Sequence, residues 1–410
     1  MRIAAIAFRC ALVAAAALAS TAQGAPDEEL LGKSKGYPLG KPGNWYYDET
    51  VRVGSFSHLD AILPYNVLAK ATEPSALRHA PNEPALRYRF EGRDYSIDDY
   101  LDRERVTGLL VIKDGEILVE RYQYERKPEH RLLSHSMAKS LVSIGIGFAL
   151  AEGAIKSLDD TAAKYVPELA GSAYGETTLR NLLRMASGVH FVEEYDGKDD
   201  LSRFWRMASA RGNVAAMREF ETREAPQGER FHYASIETQV LGVVLRTATG
   251  ETLSAYLDKR LWQPMGAEAN ATWAKSSDGI ERASGNFSAT LHDWGRLGVL
   301  LANDGRVGEK QILPRDYLLE ATDWHRHPSA FAPRKATPYH GYGYQFWTFP
   351  GEHRRFALLG VFGQAIFVDP EQKLVLVQTA AAKNARISNE TMGAELGALW
   401  LALVNQYGRW

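Results

Sequence analysis

Ser136 and Lys139 stand three residues apart at the point where a long apolar segment begins. If this segment is a helix, the two side chains lie one turn apart on the same face. A hydroxyl at the first turn of a helix faces unpaired backbone N–H groups and the positive end of the helix dipole, which favour an alkoxide. The pair therefore predicts a nucleophile, Ser136, with Lys139 as the base that accepts its proton.

The apolar segment distinguishes this pair from a chance match. Residues 141–150 read Leu-Val-Ser-Ile-Gly-Ile-Gly-Phe-Ala-Leu, which predicts a helix that is buried on nearly all sides and ends near Gly153. A Ser-x-x-Lys tetrad is more often a capping serine and a solvated lysine. A lysine in a buried helix is unfavourable when charged, so we expect the lowered pKa that a general base requires.

The composition restricts the class of protein. The chain has 410 residues, of which 45% are hydrophobic and 24% charged, as is usual for globular proteins. Its 48 basic and 50 acidic residues are balanced, which argues against nucleic acid as a partner. The sequence has no P-loop, no His-Glu-x-x-His, no Gly-x-Ser-x-Gly and no convincing histidine spacing for a metal. We therefore expect no cofactor and no metal.

The first 24 residues are typical of a secretory signal peptide. Arg2 and Arg9 supply positive charge, residues 11–19 form a short apolar core, and small residues follow around Gly24. The single cysteine, Cys10, lies in this segment, so the mature chain is expected to contain no disulfide. We predict a periplasmic or secreted protein with no membrane span after cleavage; an uncut anchor is the alternative.

The rest of the chain divides into an N-terminal arm or extension, 25–100, and one domain, 101–410. In the domain, β-rich runs at 106–112 and 117–122 flank Asp114-Gly115, which predicts a hairpin. Further β-rich runs occur at 342–347, 355–359, 365–368 and 374–378. Helices are predicted at 178–185, 236–249, 253–261, 289–303 and 389–404, the last with Ser388 as N-cap, whereas 190–226 has loop character.

Strands therefore occur at both ends of the domain, with helices between them. The simplest packing joins the early hairpin and the late strands in one antiparallel sheet flanked by helices. The helical middle then forms a second, mainly helical lobe. This is an α+β fold, with the Ser136 helix at the seam between the lobes, where a cleft is expected.

Two other stretches could complete a site. Tyr233 precedes a predicted helix and could relay a proton if Lys139 lowers the pKa of its hydroxyl. The stretch Leu358-Leu359-Gly360 ends a predicted strand, and glycine there would let a ligand approach the backbone. When each residue is considered alone, core packing is enough to explain Tyr233 and a β-turn is enough to explain Gly360.

Taken in order, the three stretches resemble the motifs of the serine β-lactamase and penicillin-binding protein superfamily. The similarity is greater to its class C-like branch, with esterases and 6-aminohexanoate-dimer hydrolases. Ser136-Met137-Ala138-Lys139 resembles the first motif, and Tyr233-Ala234-Ser235 the second, usually Tyr-x-Asn. Leu358-Leu359-Gly360 stands where the third is expected, usually Lys-Thr-Gly or His-x-Gly. The resemblance extends from about residue 105 to the C-terminus and implies a β-lactamase/transpeptidase-like fold.

The resemblance also implies roles for individual residues. Ser136 would form an acyl-enzyme, Lys139 would activate it, and Tyr233 would pass the proton to the leaving group and then help to activate water. The oxyanion would lie between the backbone N–H groups of Ser136 and Val361. The implied substrate-binding residues are Tyr195, Ser235, Gly360 and Phe362.

The departures from the family pattern bear on the substrate. Ser235 replaces the usual asparagine, and Leu358-Leu359 replace side chains that normally hold a substrate carboxylate. We therefore expect a small neutral ester or amide, in a site to which the aromatic residues Tyr344, Trp347 and Phe362 could contribute. A β-lactamase or D,D-peptidase, and a non-catalytic binding or sensor domain on the same fold, are the alternatives. The sequence makes no prediction of oligomeric state.

Overall fold

A computed structural model of the chain describes residues 25–410. The predicted signal peptide, residues 1–24, lies outside the described residues. No helix within residues 25–410 is long and apolar enough to cross a membrane.

The strands of the described chain are short except in the central part of the main sheet. In chain order they are β1 (Tyr65–Leu68), β2 (Arg78–His79), β3 (Arg87–Phe90), β4 (Arg93–Ser96), β5 (Val106–Lys113), β6 (Glu116–Tyr122), β7 (Leu132–Leu133), β8 (Ala271–Ala274), β9 (Phe287–Ala289), β10 (Arg306–Val307), β11 (Lys310–Gln311), β12 (Gly341–Tyr342), β13 (Trp347–Thr348), β14 (Phe356–Gly360), β15 (Gln364–Asp369) and β16 (Leu374–Ala380).

The helices are concentrated between β7 and β12. In chain order they are α1 (Glu49–Ser55), α2 (Ile97–Arg103), α3 (Ala138–Ala151), α4 (Leu179–Leu183), α5 (Asp200–Arg211), α6 (Asn213–Met217), α7 (Ser235–Thr249), α8 (Leu253–Leu257), α9 (Leu291–Ala302), α10 (Arg315–Thr322) and α11 (Thr391–Tyr407).

The main sheet joins the two ends of the domain, as the sequence predicts. Its order is β12-β13-β14-β15-β16-β5-β6-β2, antiparallel except for the pair formed by β2 and β6. The predicted hairpin is confirmed, and Asp114 and Gly115 both have positive φ, 53° and 82°, as its tight turn requires. Strand β16 pairs with β5 and so joins the late strands to the early hairpin, although the two strands are more than 250 residues apart in sequence.

Two apolar cores lie on the two faces of this sheet. On one face α9 packs against β5, β15 and β16, and this core continues through α3 and α7 into the helical lobe. On the other face α11 packs with the small β3–β4 hairpin. The predicted α+β fold, a mainly antiparallel sheet flanked by helices with a helical lobe, is confirmed, and α3 is buried along nearly its whole length.

The structure corrects the interpretation of segment 190–226 as a loop. It contains α5 and α6; Asp199 caps α5 by accepting from the backbone N–H of Ser202 at 3.0 Å, and Gly212 ends it with φ 84°. Most of α5 is polar, and its buried face is limited to Phe204 and Ala208. Leu201, Phe204, Trp205 and Ala208 nevertheless recur at helical spacing, so the polar composition of the segment, and not a lack of periodicity, favoured the loop interpretation.

Three other boundaries differ from those expected. The predicted strand 342–347 is two short strands separated by a turn at Gln345, whose φ is 63°. The Gln345 side-chain amide donates to the carbonyl groups of Leu182 and Leu183, both at 3.0 Å, so a contact with α4 breaks the strand.

The C-terminal helix begins at Thr391 with Glu390 as N-cap, so the assignment of Ser388 was wrong. Helix α8 ends at Leu257 and is followed directly by a π-helical segment, Asp258–Trp262.

The N-terminal arm is packed against the domain over much of its length. Strand β1 pairs with β8, and Arg52 of α1 donates to the carbonyl groups of Ala382 and Lys383 at 2.7 and 3.0 Å. Trp45 and Phe56 are buried in a third apolar cluster. The boundary at residue 100 stays a prediction.

Candidate active site

The candidate nucleophile lies in a tight turn just before a buried helix. Ser136 is the middle residue of a 3-10 turn, His135–Met137, that leads directly into α3. The preceding His135 has φ 44°, a left-handed conformation that L-residues rarely adopt. Its ring is buried and packs against Trp45 and Phe56, with centroids at 6.4 and 4.5 Å. Tertiary packing therefore holds the strained turn that presents the Ser136 hydroxyl.

Lys139 projects from the first turn of α3 towards Ser136. Its Nζ lies 2.8 Å from Ser136 Oγ and 2.7 Å from the carbonyl oxygen of Ser284. The residue is only 2% exposed, and burial lowers its pKa to about 8, although the Glu193 charge acts in the opposite direction. About a tenth of the amine is therefore neutral at pH 7, and about half at pH 8, and this neutral form can accept a proton.

Tyr233 lies across the same site, one residue before the N-cap of α7. The centroid of its ring is 5.1 Å from Lys139 Nζ, and the ring stacks on Trp347 at 5.6 Å. Burial and the Glu193 charge raise the pKa of Tyr233 far above its usual value, and interactions with the hydroxyls of Ser136 and Ser235 only partly oppose this. The phenol therefore keeps its proton, so the expectation that Lys139 lowers its pKa is not met.

A buried carboxylate, Glu193, organises the other side of the site. Its Oε2 accepts from the backbone N–H of Ser235 at 2.7 Å, and its Oε1 accepts from the Ser235 hydroxyl at 2.6 Å. The Tyr195 hydroxyl donates to the same Oε1 at 2.8 Å. Tyr195 and Ser235, the two residues expected to bind substrate, therefore both donate hydrogen bonds to Glu193.

The end of β14 approaches the nucleophile turn closely. A Cβ added to Gly360 would lie 2.4 Å from the carbonyl oxygen of Ser134 and 3.1 Å from Cβ of His135, so only glycine fits there. Val361 follows at once and lines the cavity in front of Ser136. This places the predicted oxyanion donors, the N–H groups of Ser136 and Val361, on adjoining segments. Their joint action on an oxyanion stays a prediction.

A cavity of about 630 Å³ opens in front of Ser136. This volume lies in the range of small-molecule sites. Tyr195 and Ser235 line the cavity, and their contact with a substrate stays a prediction. The arm contributes three aromatic residues that the sequence did not suggest: Trp45, Tyr46 and Tyr47. The arm therefore forms one wall of the site.

The other aromatic residues named from the sequence are not among the residues that line this cavity. Phe362 is buried between Phe56 and Tyr46, behind the nucleophile turn. Tyr344 donates its hydroxyl to Glu320, and Trp347 packs behind Tyr233. They contribute packing, and contact of Phe362 with a substrate stays a prediction. Residues 25–410 contain no cluster of histidine, cysteine and acidic side chains suited to a metal ion.

Three residues that line the cavity were not indicated by the sequence: Glu193, Ser284 and Arg282. Glu193 stood beside the predicted Tyr195, but only the fold shows that its carboxylate meets Ser235. Ser284 contributes a backbone carbonyl, which any residue type could supply, so no sequence signal could have revealed it.

Comparison with known proteins identifies the family of the chain. The profile of the Beta-lactamase family matches residues 96–389. A 6-aminohexanoate-dimer hydrolase of Paenarthrobacter ureafaciens is 26% identical over 343 residues, which cover 80% of this chain and 84% of that protein.

Solved structures have the same fold. A Bacillus anthracis protein provisionally described as a 6-aminohexanoate-dimer hydrolase superimposes with a TM-score of 0.79 at 24% identity, covering 88% of this chain and 96% of that one. A family VIII carboxylesterase superimposes with a TM-score of 0.57 at 17% identity, covering 73% of this chain and 93% of the other. With the profile match spanning most of its length, the chain belongs to the Beta-lactamase family and is a serine hydrolase of that family.

Proposed function

We propose that the protein cleaves an ester or amide bond of a small molecule through an acyl-enzyme on Ser136. The observation that supports this most directly is the 2.8 Å contact between the Ser136 hydroxyl and Lys139 Nζ, an amine that is buried and has a pKa of about 8. A nucleophile and a base at hydrogen-bond distance, facing a cavity, are the minimum that acyl transfer needs.

In the acylation step, neutral Lys139 accepts the proton of Ser136 while Oγ attacks the substrate carbonyl. The negative charge on the carbonyl oxygen is met by the N–H groups of Ser136 and Val361; loss of one such donor typically costs about 3 kcal/mol in the transition state. Tyr233 gives its proton to the departing nitrogen or oxygen and regains one from Lys139, so Lys139 is neutral again when the bond has broken.

In the deacylation step, water replaces the leaving group in the cavity. Lys139 accepts its proton, directly or through Tyr233, as the water oxygen attacks the acyl carbonyl. Collapse of the intermediate returns the proton to Ser136 and releases the carboxylic acid. The high pKa of Tyr233 suits it to relay a proton, and it leaves the role of resting base to Lys139.

A linear substrate suits the site better than a bicyclic lactam. The third motif has Leu358 and Leu359 where lactamases and peptidases carry cationic or hydroxyl side chains. One relative is named as a hydrolase of the 6-aminohexanoate dimer. We therefore propose linear esters and amides as the substrate class.

The direct test is Ser136→Ala in the purified protein. Wild-type protein should hydrolyse p-nitrophenyl butyrate and become labelled by a fluorophosphonate, and the variant should do neither. Ser34→Ala, at an exposed serine near the start of the arm and outside the cavity lining, serves as the matched control and should behave as wild type. Full activity in Ser136→Ala would refute the proposal, and an unreactive wild-type protein would favour a binding or sensor function.

A panel of substrates decides the chemical class. The 6-aminohexanoate dimer, short-chain esters and nitrocefin are compared by kcat/KM, with Ser136→Ala as background. We expect turnover of the linear substrates, and a higher kcat/KM for nitrocefin would establish the β-lactamase alternative.

We also propose that the protein is exported. Residues 1–24 have the charge and hydrophobicity of a signal peptide, and residues 25–410 contain no cysteine. Mass spectrometry of the N-terminus of protein recovered from periplasm or medium tests this. A first residue near 25 supports export, and an intact N-terminus in the cytosolic fraction refutes it.

A further inference from the structure

The candidate cavity contains a guanidinium without an acidic partner. Arg282 lines the cavity, and its Cζ lies 4.8 Å from the centroid of the Trp205 ring. Its Nε is buried and has no hydrogen-bond partner, and no carboxylate of residues 25–410 forms an ion pair with it. Burial alone lowers the pKa of this guanidinium, but arginine remains charged at physiological pH.

The acids nearest in sequence are already engaged elsewhere. Glu281 is fully buried and accepts from the Asn66 side chain at 2.8 Å and from the backbone N–H of Ser254 at 3.1 Å. Asp278 accepts from the backbone and side chain of Asn213, both at 2.8 Å. A half-buried cation without a counter-charge is unfavourable unless something supplies one.

A second arginine faces the same space. Arg206, on α5, also lines the cavity; it donates to the carbonyl of Gly197 at 3.2 Å and forms no ion pair with residues 25–410. The acid of the cavity wall, Glu193, already accepts three hydrogen bonds, from Ser235 and Tyr195. Arg206 is exposed to solvent, so the buried charge without a partner in the cavity is that of Arg282.

The position of Arg282 relates this charge to the chemistry. It is two residues from Ser284, whose carbonyl oxygen contacts Lys139 Nζ at 2.7 Å. Arg282 and Ser136 line the same cavity of about 630 Å³, so one small substrate can contact both. A guanidinium is also the side chain best suited to hold a carboxylate through two parallel hydrogen bonds.

We propose that the natural substrate is an ester or amide that carries a carboxylate, and that Arg282 binds this carboxylate. The inference rests on the proposed function and names its substrate class. It replaces the neutral substrate expected from Leu358 and Leu359. The cation lies between β8 and β9 and not at the third motif in β14, so it does not restore the carboxylate site of lactamases and peptidases.

The test compares acidic substrates with neutral ones of the same shape. One pair is mono-p-nitrophenyl glutarate and its methyl ester, with the carboxylate on the acyl side. The other pair is 4-butyryloxybenzoate and its methyl ester, with the carboxylate on the leaving group. The ratio of kcat/KM, acid over ester, is measured for wild type, Arg282→Gln, Arg282→Lys and the control Arg93→Gln, which removes an exposed charge outside the cavity.

In wild type the acid should be preferred by about tenfold or more in at least one pair. Arg282→Gln should remove this preference, Arg282→Lys should retain part of it, and Arg93→Gln should leave the ratio unchanged. A ratio that is the same in Arg282→Gln and Arg93→Gln, or a wild type that prefers both neutral esters, would overturn the proposal. Hydrolysis that survives in Ser136→Ala would instead refute the proposed function.

A second measurement does not depend on whether the variants fold. Glutarate should inhibit the wild-type hydrolysis of p-nitrophenyl butyrate competitively, and glutaramide, which has the same length and no charge, should inhibit at least about tenfold more weakly. Equal inhibition by the two compounds would count against a carboxylate site.

Discussion

Replacing Lys139 by methionine should make the protein inactive and, relative to wild type, more stable at pH 7 than at pH 10. Burial lowers the pKa of this lysine from 10.5 to about 8, so the folded state opposes a proton that the unfolded chain binds readily. The difference corresponds to about 3 kcal/mol of destabilisation in wild type, which is fully present below pH 8 and disappears as the pH rises towards 10.5. Methionine has a similar length and no charge, so it removes this cost.

The variant also loses a contact. The carbonyl oxygen of Ser284, which accepts from Lys139 Nζ at 2.7 Å, would be left without this partner, at a cost of about 1–3 kcal/mol. That cost does not depend on pH, so the pH dependence isolates the lysine charge. Between pH 7 and pH 10 the stability of the variant relative to wild type should fall by about 2 kcal/mol.

Urea unfolding followed by tryptophan fluorescence measures both proteins at pH 7, 8, 9 and 10. Ser136→Ala, which keeps the lysine, serves as the control and should track wild type across this range. If the stability difference between Lys139→Met and wild type stays constant from pH 7 to pH 10, the amine is not held with a lowered pKa. The assignment of Lys139 as a neutral base would then be wrong.

Three further predictions concern activity. Because neutral Lys139 is the base, kcat/KM for a neutral ester should rise with pH through an apparent pKa of about 8, and a flat profile from pH 6 to 9 would contradict this. Tyr233→Phe should lower kcat by about 10²-fold or more for an amide but much less for a p-nitrophenyl ester, whose leaving group needs no proton; equal losses would argue against the relay. Gly360→Ala would press a Cβ against the nucleophile turn and should lower kcat by about 10²-fold, whereas Gly397→Ala, with nothing within 4 Å, should leave kcat near that of wild type.

Much of the fold followed from local patterns. The Asp114-Gly115 turn needs two residues with positive φ, and few dipeptides supply them, so the hairpin could be placed from sequence. Helix α5 also has local periodicity, with Leu201, Phe204, Trp205 and Ala208 at helical spacing, but its polar composition and its Asp and Gly caps are equally common in loops. The break in the strand at Gln345 depends on hydrogen bonds to α4, which lies about 160 residues earlier.

The sequence by itself determined the pairing of Ser136 with Lys139, because helix geometry brings residues three apart to one face wherever the helix lies. Only the tertiary structure decided what surrounds that pair. The meeting of Glu193 with Ser235, the wall formed by the arm, and the unpaired charge of Arg282 all join segments far apart in the chain. Such contacts depend on how the lobes pack, and no local periodicity encodes them.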